Sequence, residues 1–160
     1  MTKNKPKVIV IGLDGATFKN LTPWMKEGLL PNLKSLVDNG VSGELESTIP
    51  RLSSPAWTSF MTGVNPGKHG VFGFLKPFKD KEYKKNLYTS SDIKAKTIFE
   101  LLSEGNKKSI AVNVPMTYPP FKINGFIVAD GLTTPSSNFS FTYPEDLFQQ
   151  AGMKKEEYIL

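Results

Sequence analysis

The chain of 160 residues has no cysteine, a single histidine and no long apolar run. The lack of cysteine excludes a disulfide framework and mildly favours a cytoplasmic location. No window approaches the run of about 20 apolar residues that a membrane helix needs. The basic N-terminus is followed by only a short apolar run and then by Asp14, which is typical of a strand rather than a signal peptide. We therefore expect a cytoplasmic protein without a membrane segment.

The residues that are present are sufficient for a folded core. Hydrophobic residues make up 39% of the chain and aromatic residues 11%, which argues against disorder. The length favours one domain. Apolar periodicity predicts strands at residues 8–11, 43–47, 109–114 and 126–129, and helices at residues 21–26, 32–38, 55–61 and 97–102. Strands that alternate with helices predict an α/β fold with a mainly parallel sheet flanked by helices.

The first candidate site residue is Asp14. It stands just beyond the carboxyl end of the predicted strand at residues 8–11, between Leu13 and Gly15. In open α/β sheets, ligands bind in the crevice at the carboxyl ends of the strands. Asp14 is therefore either a ligand for a hard metal ion or a carboxylate that caps the next turn.

The second candidate region is residues 48–70. Ser53 and Ser54 precede Pro55, which is favoured at the first helical position, and Gly63 is a plausible helix end. A hydroxyl just before a helix start faces unpaired N–H groups and the positive end of the helix dipole, where a phosphate or a developing alkoxide is stabilised. The alternative is that one serine only caps the helix.

Together these segments resemble the type I phosphodiesterase/nucleotide pyrophosphatase family of the alkaline phosphatase superfamily. The resemblance rests on four motifs in order along the chain: Asp14-Gly15, Pro31-Asn32-Leu33 followed by Gly40, Ser53-Ser54-Pro55, and Thr-Gly-Val-Asn-Pro-Gly-Lys-His-Gly at residues 62–70. It is dense over residues 7–74 and looser beyond. It implies an alkaline phosphatase-like α/β fold.

The resemblance also implies roles for individual residues. Asp14 would bind one of two divalent metal ions, usually zinc in this family. Ser53 would coordinate metal and act as the nucleophile on an anionic phosphate ester, with Ser54 as the alternative one residue later. Such activation is chemically sensible, because metal coordination and a helix N-terminus each make a serine hydroxyl easier to deprotonate.

The sequence departs from the nucleotide pyrophosphatases at Ala56. These enzymes usually carry an asparagine there, which helps to hold the phosphoryl oxygen, and a threonine nucleophile where this chain has Ser53. The missing amide favours a phosphoryl or sulfuryl ester other than a nucleotide. Arg51 either replaces the lost donor, since arginine binds phosphate oxygens through a fork of N–H groups, or is a solvated loop residue.

One histidine and Asp14 cannot make two zinc sites, which need three or four protein ligands each. His69 lies in the Pro-x-x-His-Gly turn, and we expect it to form structural hydrogen bonds rather than to bind metal. The later Asp and His ligands of the family are missing from this sequence. We therefore expect residues 1–160 to be the N-terminal part of a phosphodiesterase domain that is incomplete in this chain.

The resulting hypothesis is a metal-dependent phosphate-ester hydrolase. A sulfatase or phosphotransferase on the same fold, and a non-catalytic binding domain that retains the fold, remain alternatives.

Two further features have structural interpretations. The net charge of +5 comes largely from residues 76–85, but Asp80 and Glu82 interrupt this basic run, so we favour a solvated insertion or hairpin over a nucleic-acid surface. Basic residues there could also steer an anionic ester. Asp130-Gly131 repeats the Asp-Gly pair after a predicted strand, and we expect Asp130 to be a turn residue. No feature of the sequence indicates an oligomeric state.

Overall fold

A computed structural model describes residues 7–77, 86–134 and 140–158. The chain divides into two compact units, Met1–Glu46 and Ser47–Leu160. Within the described ranges, no helix has the length and apolar character needed to cross a membrane.

The first unit contains two helices, α1 (Phe18–Lys26) and α2 (Pro31–Asn39). Thr17 caps α1 by accepting a hydrogen bond from the Lys19 N–H at 3.4 Å. Pro31 starts α2, where its missing N–H costs nothing. Both helices confirm the predicted ones and run slightly longer at their ends.

The predicted strands at residues 8–11 and 43–47 are wrong. Residues 8–11 are irregular, and their side chains are 64–86% exposed. A strand is stable only when its N–H and C=O groups pair with a neighbouring strand. The described residues of the first unit form helices and no strand. The apolar run at residues 8–11 therefore has no neighbouring strand to pair with, despite its β propensity.

The second unit contains a three-stranded sheet with the order β1 (Ser109–Val114), β2 (Gly125–Ala129), β3 (Thr142–Tyr143). Strands β1 and β2 are parallel, whereas β2 and β3 are antiparallel. The predicted strands at 109–114 and 126–129 are confirmed to within one residue. The described sheet is mixed, with one parallel and one antiparallel strand pair, so the fold is a small α/β fold and the expected dominance of parallel pairing is not confirmed.

The start of β2 requires glycine. Gly125 has a φ of 146°, and a Cβ there would lie 1.8 Å from the carbonyl oxygen of Ser109 on β1. This close approach lets the two parallel strands begin in register at Ser109 and Gly125.

The remaining elements are short helices. They are α3 (Ser53–Thr62), α4 (Pro66–His69), α5 (Ile98–Glu104), α6 (Leu147–Gln150), and the 3₁₀ helices Ser90–Asp92 and Lys155–Glu157. The second unit has two hydrophobic clusters. One includes Met61, Val71, Phe99 and Ile127, and the other centres on Phe141 and Phe148. Helix α3 is thereby anchored to the sheet through Met61.

For the hairpin that was considered for residues 71–85, the structure describes only the base, where two backbone hydrogen bonds join the two segments. The Lys76 N–H donates to the Asn86 carbonyl and the Tyr88 N–H to the Phe74 carbonyl, each at 2.8 Å. Lys76 also pairs with Asp92 at 2.6 Å. The rest of the basic run, residues 78–85, lies outside the described ranges.

Replacement of Thr97 by alanine is expected to destabilise the second unit by about 1 kcal/mol, because Thr97 caps α5. Its Oγ1 accepts from the Glu100 N–H at 3.3 Å, and the Glu100 carboxylate accepts from the Thr97 N–H at 2.7 Å. Urea unfolding of Thr97→Ala, with the exposed Ser91→Ala as the control, measures the difference. Equal unfolding free energies for the two variants would contradict the capping role.

Candidate functional site

The two candidate serines begin helix α3. Leu52 is the N-cap, with extended backbone angles, and its carbonyl accepts the first helical bond from the Ala56 N–H at 3.1 Å. The predicted start at Pro55 is therefore wrong by two residues, and neither serine is the N-cap. Pro55 is tolerated at the third helical position because the N–H groups of the first turn have no intrahelical acceptor. The helix ends as predicted at Gly63, whose φ is 68°.

Burial distinguishes the two serines. The side chain of Ser54 is completely buried, and its Oγ has no hydrogen-bond partner in the part of the chain that is described. Ser53 is only partly buried. A nucleophile has to reach an external substrate, so the geometry favours Ser53 over Ser54.

The other two candidate residues are exposed. Arg51 lies in the loop two residues before α3. Asp14 lies in a turn of the first unit, between residues 8–11 and α1. The structure thus places Arg51, Ser53 and Ser54 at one loop–helix junction of the second unit, whereas Asp14 belongs to the other unit.

Metal-ligating side chains do not cluster in the described ranges: they contain no group of three or more His, Cys, Asp or Glu side chains able to hold a metal ion. A zinc site needs three or four protein ligands. The described residues therefore do not fit a complete metal centre, and Asp14 offers a single carboxylate.

His69 is a buried residue whose two ring nitrogens both make hydrogen bonds. Its Nδ1 accepts from the Val71 N–H at 3.1 Å, so the proton of the neutral ring is on Nε2, which lies 2.9 Å from Ser59 Oγ. Burial lowers the pKa of His69, and a hydrogen bond to the Pro55 carbonyl opposes this only in part. Because Nδ1 is occupied and Nε2 is protonated, this arrangement agrees with a structural rather than a metal-binding histidine.

Ser59 was not a sequence candidate. The feature of the sequence that could have identified Ser59 is its spacing of four residues from Pro55, which puts Ser59 and Pro55 on one face of α3. Only the folded turn brings His69 to that face.

The free energy of unfolding is expected to fall as the pH drops below about 6.5, the ordinary imidazole pKa. The unfolded chain then binds a proton at His69 that the folded chain does not bind, so the slope is positive, up to about 1.4 kcal/mol per pH unit. The loss ends once the pH passes the lowered pKa of the folded state. Urea unfolding between pH 7 and pH 5 measures this slope.

The control for this slope is His69→Gln, which should flatten it. Asp92 does not interfere in this window. Burial raises its pKa, but hydrogen bonds from Lys76 and Thr89 outweigh that effect and hold the pKa of Asp92 below its usual value. Its contribution is therefore lost only below about pH 4. An unchanged slope in His69→Gln would contradict the assignment to His69.

Asp130 is a buried turn residue at the carboxyl end of β2, as predicted. Its Oδ1 accepts from the N–H groups of Leu132 and Thr133 at 2.9 and 2.8 Å. Its Oδ2 accepts from the Thr117 N–H at 3.2 Å and from Thr133 Oγ1 at 2.7 Å. These bonds use the carboxylate within the fold.

Two surface cavities lie in the second unit. One of about 450 Å³ is lined by residues from 90–97 and 119–121 together with Glu100. The other, of about 440 Å³, is lined by residues 118–120, Ser140 and residues 142–145. Neither is lined by a residue of α3, so neither coincides with the serine site.

The sequence profile of the family described as Type I phosphodiesterase / nucleotide pyrophosphatase matches residues 8–157. The chain belongs to this family. The match includes Asp14, the α3 junction and residues 62–70. Comparison with curated proteins and with solved structures gives no match. Members of this family are in general hydrolases of phosphodiester or pyrophosphate bonds, and the family is typically metal-dependent.

Proposed function

We propose that this chain carries the nucleophile of a metal-dependent phosphate-ester hydrolase. Residues 1–160 form the N-terminal part of its domain, which is alkaline phosphatase-like with a mainly parallel sheet. The observation that carries the proposal is the position of Ser53, partly exposed at the first helical residue of α3, in a chain that belongs to a phosphodiesterase family.

The chemistry follows from this position. The first turn of the ten-residue helix α3 presents backbone N–H groups and the positive end of the helix dipole, which favour an anionic phosphate and a developing alkoxide. The bond from Ser53 Oγ to phosphorus forms as the ester P–O bond breaks. The hydroxyl proton passes to solvent, and the leaving alkoxide takes a proton from solvent and departs as the alcohol. Water then hydrolyses the phosphoserine and regenerates the hydroxyl.

The metal requirement rests on the family and not on a centre among the described residues. Asp14 is proposed as one ligand of a pair of divalent ions, zinc by analogy with the family, and Ser53 Oγ as a second contact. The described ranges contain no cluster of three ligands, and we propose that further ligands complete the centre. The bound ions would supply charge neutralisation at the phosphoryl oxygens.

The substrate is proposed to be an anionic phosphate ester other than a nucleotide. Ala56 stands one turn into α3, where the nucleotide pyrophosphatases place an amide, and it cannot donate to a phosphoryl oxygen. The exposed Arg51 is a side-chain donor near the helix start, beside the backbone N–H groups of the first turn. The buried Ser54 has no access to a bound ester in this conformation.

The test measures zinc binding and turnover of three chromogenic esters, a phosphodiester, a phosphomonoester and a sulfate, by this chain and by the longer gene product. Asp14→Asn is compared with Asp38→Asn, a matched exposed carboxylate in the first unit that pairs with Lys34 at 2.7 Å. We expect zinc-dependent turnover of a phosphate ester, lost in Asp14→Asn and kept in Asp38→Asn.

Other outcomes favour the alternatives. Preferred cleavage of the sulfate ester would indicate a sulfatase, and transfer of phosphate to an added alcohol in preference to water would indicate a phosphotransferase. Absence of both zinc binding and turnover in the longer product would contradict the proposal and support a non-catalytic domain.

A further inference from the structure

His69 is held in place by hydrogen bonds and side-chain packing on both sides of its turn. Asn65 Oδ1 accepts from the Lys68 N–H at 3.2 Å at the start of α4, and Gly70, with a φ of 81°, ends it. The Lys94 N–H donates to the His69 carbonyl at 3.0 Å. The aliphatic part of Lys94 covers Gly70 so closely that a Cβ there would lie 3.1 Å from it. The backbone that carries the His69 ring is therefore fixed in position.

The acceptor that the ring reaches lies on the second turn of α3. Nε2 is 2.9 Å from Ser59 Oγ, and Ser59 is six residues after Ser53 in the same helix, Ser53–Thr62. Because a hydrogen-bonded helix moves as a rigid element, a shift of the ring would be transmitted along α3 to the turn that carries Ser53.

We propose that His69 is a positioning residue for Ser53. Val71 selects the Nε2–H form of the ring, and this N–H is donated to Ser59 on the second turn of α3, which fixes the position of the helix that begins at Ser53. The inference rests on the proposed function only in taking Ser53 as the nucleophile.

The same geometry argues against a catalytic Ser59–His69 pair. A general base would need a bare Nε2 to take the Ser59 proton. Here the Val71 N–H occupies Nδ1, so Nε2 carries the proton and donates to Ser59.

The first test is ¹⁵N NMR of the imidazole, which is unambiguous because the chain has one histidine. We expect a protonated Nε2 and a bare Nδ1 at neutral pH. A protonated Nδ1 or a bare Nε2 would overturn the inference, and a bare Nε2 would support the catalytic pair instead.

The second test separates the two hydrogen bonds. His69→Asn keeps an acceptor for the Val71 N–H but has no group at Nε2, whereas His69→Gln keeps a donor near Nε2. We expect kcat of His69→Asn to fall by up to about 100-fold with little change in KM, because small displacements of a nucleophile cost that much. His69→Gln should recover much of the loss. Ser59→Ala, which removes the acceptor of the Nε2 proton, should lower kcat in the same direction.

Wild-type kcat in His69→Asn would contradict a positioning role, as would an equal loss in His69→Gln and His69→Asn with matching loss of stability. If the protein has no hydrolase activity, the proposed function fails, but the backbone amide shifts of Ser53 and Ser54 in His69→Asn still decide the inference. Shifts larger than those of β2 support positioning, and unchanged shifts overturn it.

Discussion

Replacement of Ser53 by alanine is expected to lower the rate of phosphate-ester hydrolysis on the order of 10³-fold or more, as removal of a covalent nucleophile does in serine hydrolases. The reason is that no other hydroxyl at the start of α3 is both partly exposed and in the first helical turn. Steady-state kinetics with the chromogenic phosphate ester, in the zinc-loaded protein, measure the effect. Because Ser53 is half-buried on the surface of the helix end, the variant should fold normally.

The matched control for this prediction is Ser54→Ala, one residue further along the helix. Ser54 Oγ is buried without a hydrogen-bond partner in the described part of the chain, which is unfavourable. Its removal should leave the rate nearly unchanged and stabilise the protein by about 1 kcal/mol. A large loss of rate in Ser54→Ala with little loss in Ser53→Ala would reverse the assignment.

A trapping experiment on the zinc-loaded protein complements the kinetics. Brief reaction with substrate followed by acid quench should trap phosphate on the peptide that contains Ser53, and mass spectrometry should locate it there. Phosphate on Ser54, or on neither serine in an active protein, would contradict a Ser53 intermediate.

The second large effect concerns stability. Asp130→Ala is expected to destabilise the second unit by about 4 kcal/mol, since it leaves three backbone N–H groups and the Thr133 hydroxyl without their acceptor. Such a loss is a large part of the stability of an ordinary domain, which is about 5–15 kcal/mol. Urea unfolding followed by circular dichroism gives the difference, provided that the slope with urea is unchanged.

Asp130→Asn is expected to cause a smaller loss of stability than Asp130→Ala. The amide oxygen can still accept from Leu132 and Thr133, but its NH₂ group faces the Thr117 N–H, so about half of the loss is expected. Asp146→Asn, at an exposed carboxylate of the same unit, is the control. If Asp130→Ala were no less stable than Asp146→Asn, the buried hydrogen-bond network would contribute little to the fold.

Much of the second unit was predictable because its signals are local. The apolar run at 109–114 and the Gly-Phe-Ile-Val-Ala segment at 125–129 are strands, and the helix predicted at residues 97–102 is α5. Asp130 was correctly predicted to be a turn residue because Asp and Gly after a strand favour a turn. What could not be predicted is its partner Thr117, thirteen residues earlier, which only the pairing of β1 with β2 brings near.

The first unit shows the limit of local signals. Residues 8–11 have the strongest β propensity in the chain, yet they form no strand, because strand formation depends on a neighbour and not on side chains alone. The interpretation of Asp14 as a residue at the carboxyl end of a strand depended on that strand. Asp14 therefore remains a proposed ligand through the family motif, and not through the geometry of a sheet edge.

By itself, the sequence determined family membership and the approximate positions of α1, α2, α3, α5, β1 and β2. Motif order, helix ends and apolar periodicity are properties of neighbouring residues. Only the tertiary structure decided that Ser53 rather than Ser54 is accessible, that the described sheet is mixed, and that Nε2 of His69 carries the proton. Each of these depends on atoms from distant parts of the chain that bury a side chain, pair with a strand or occupy a ring nitrogen.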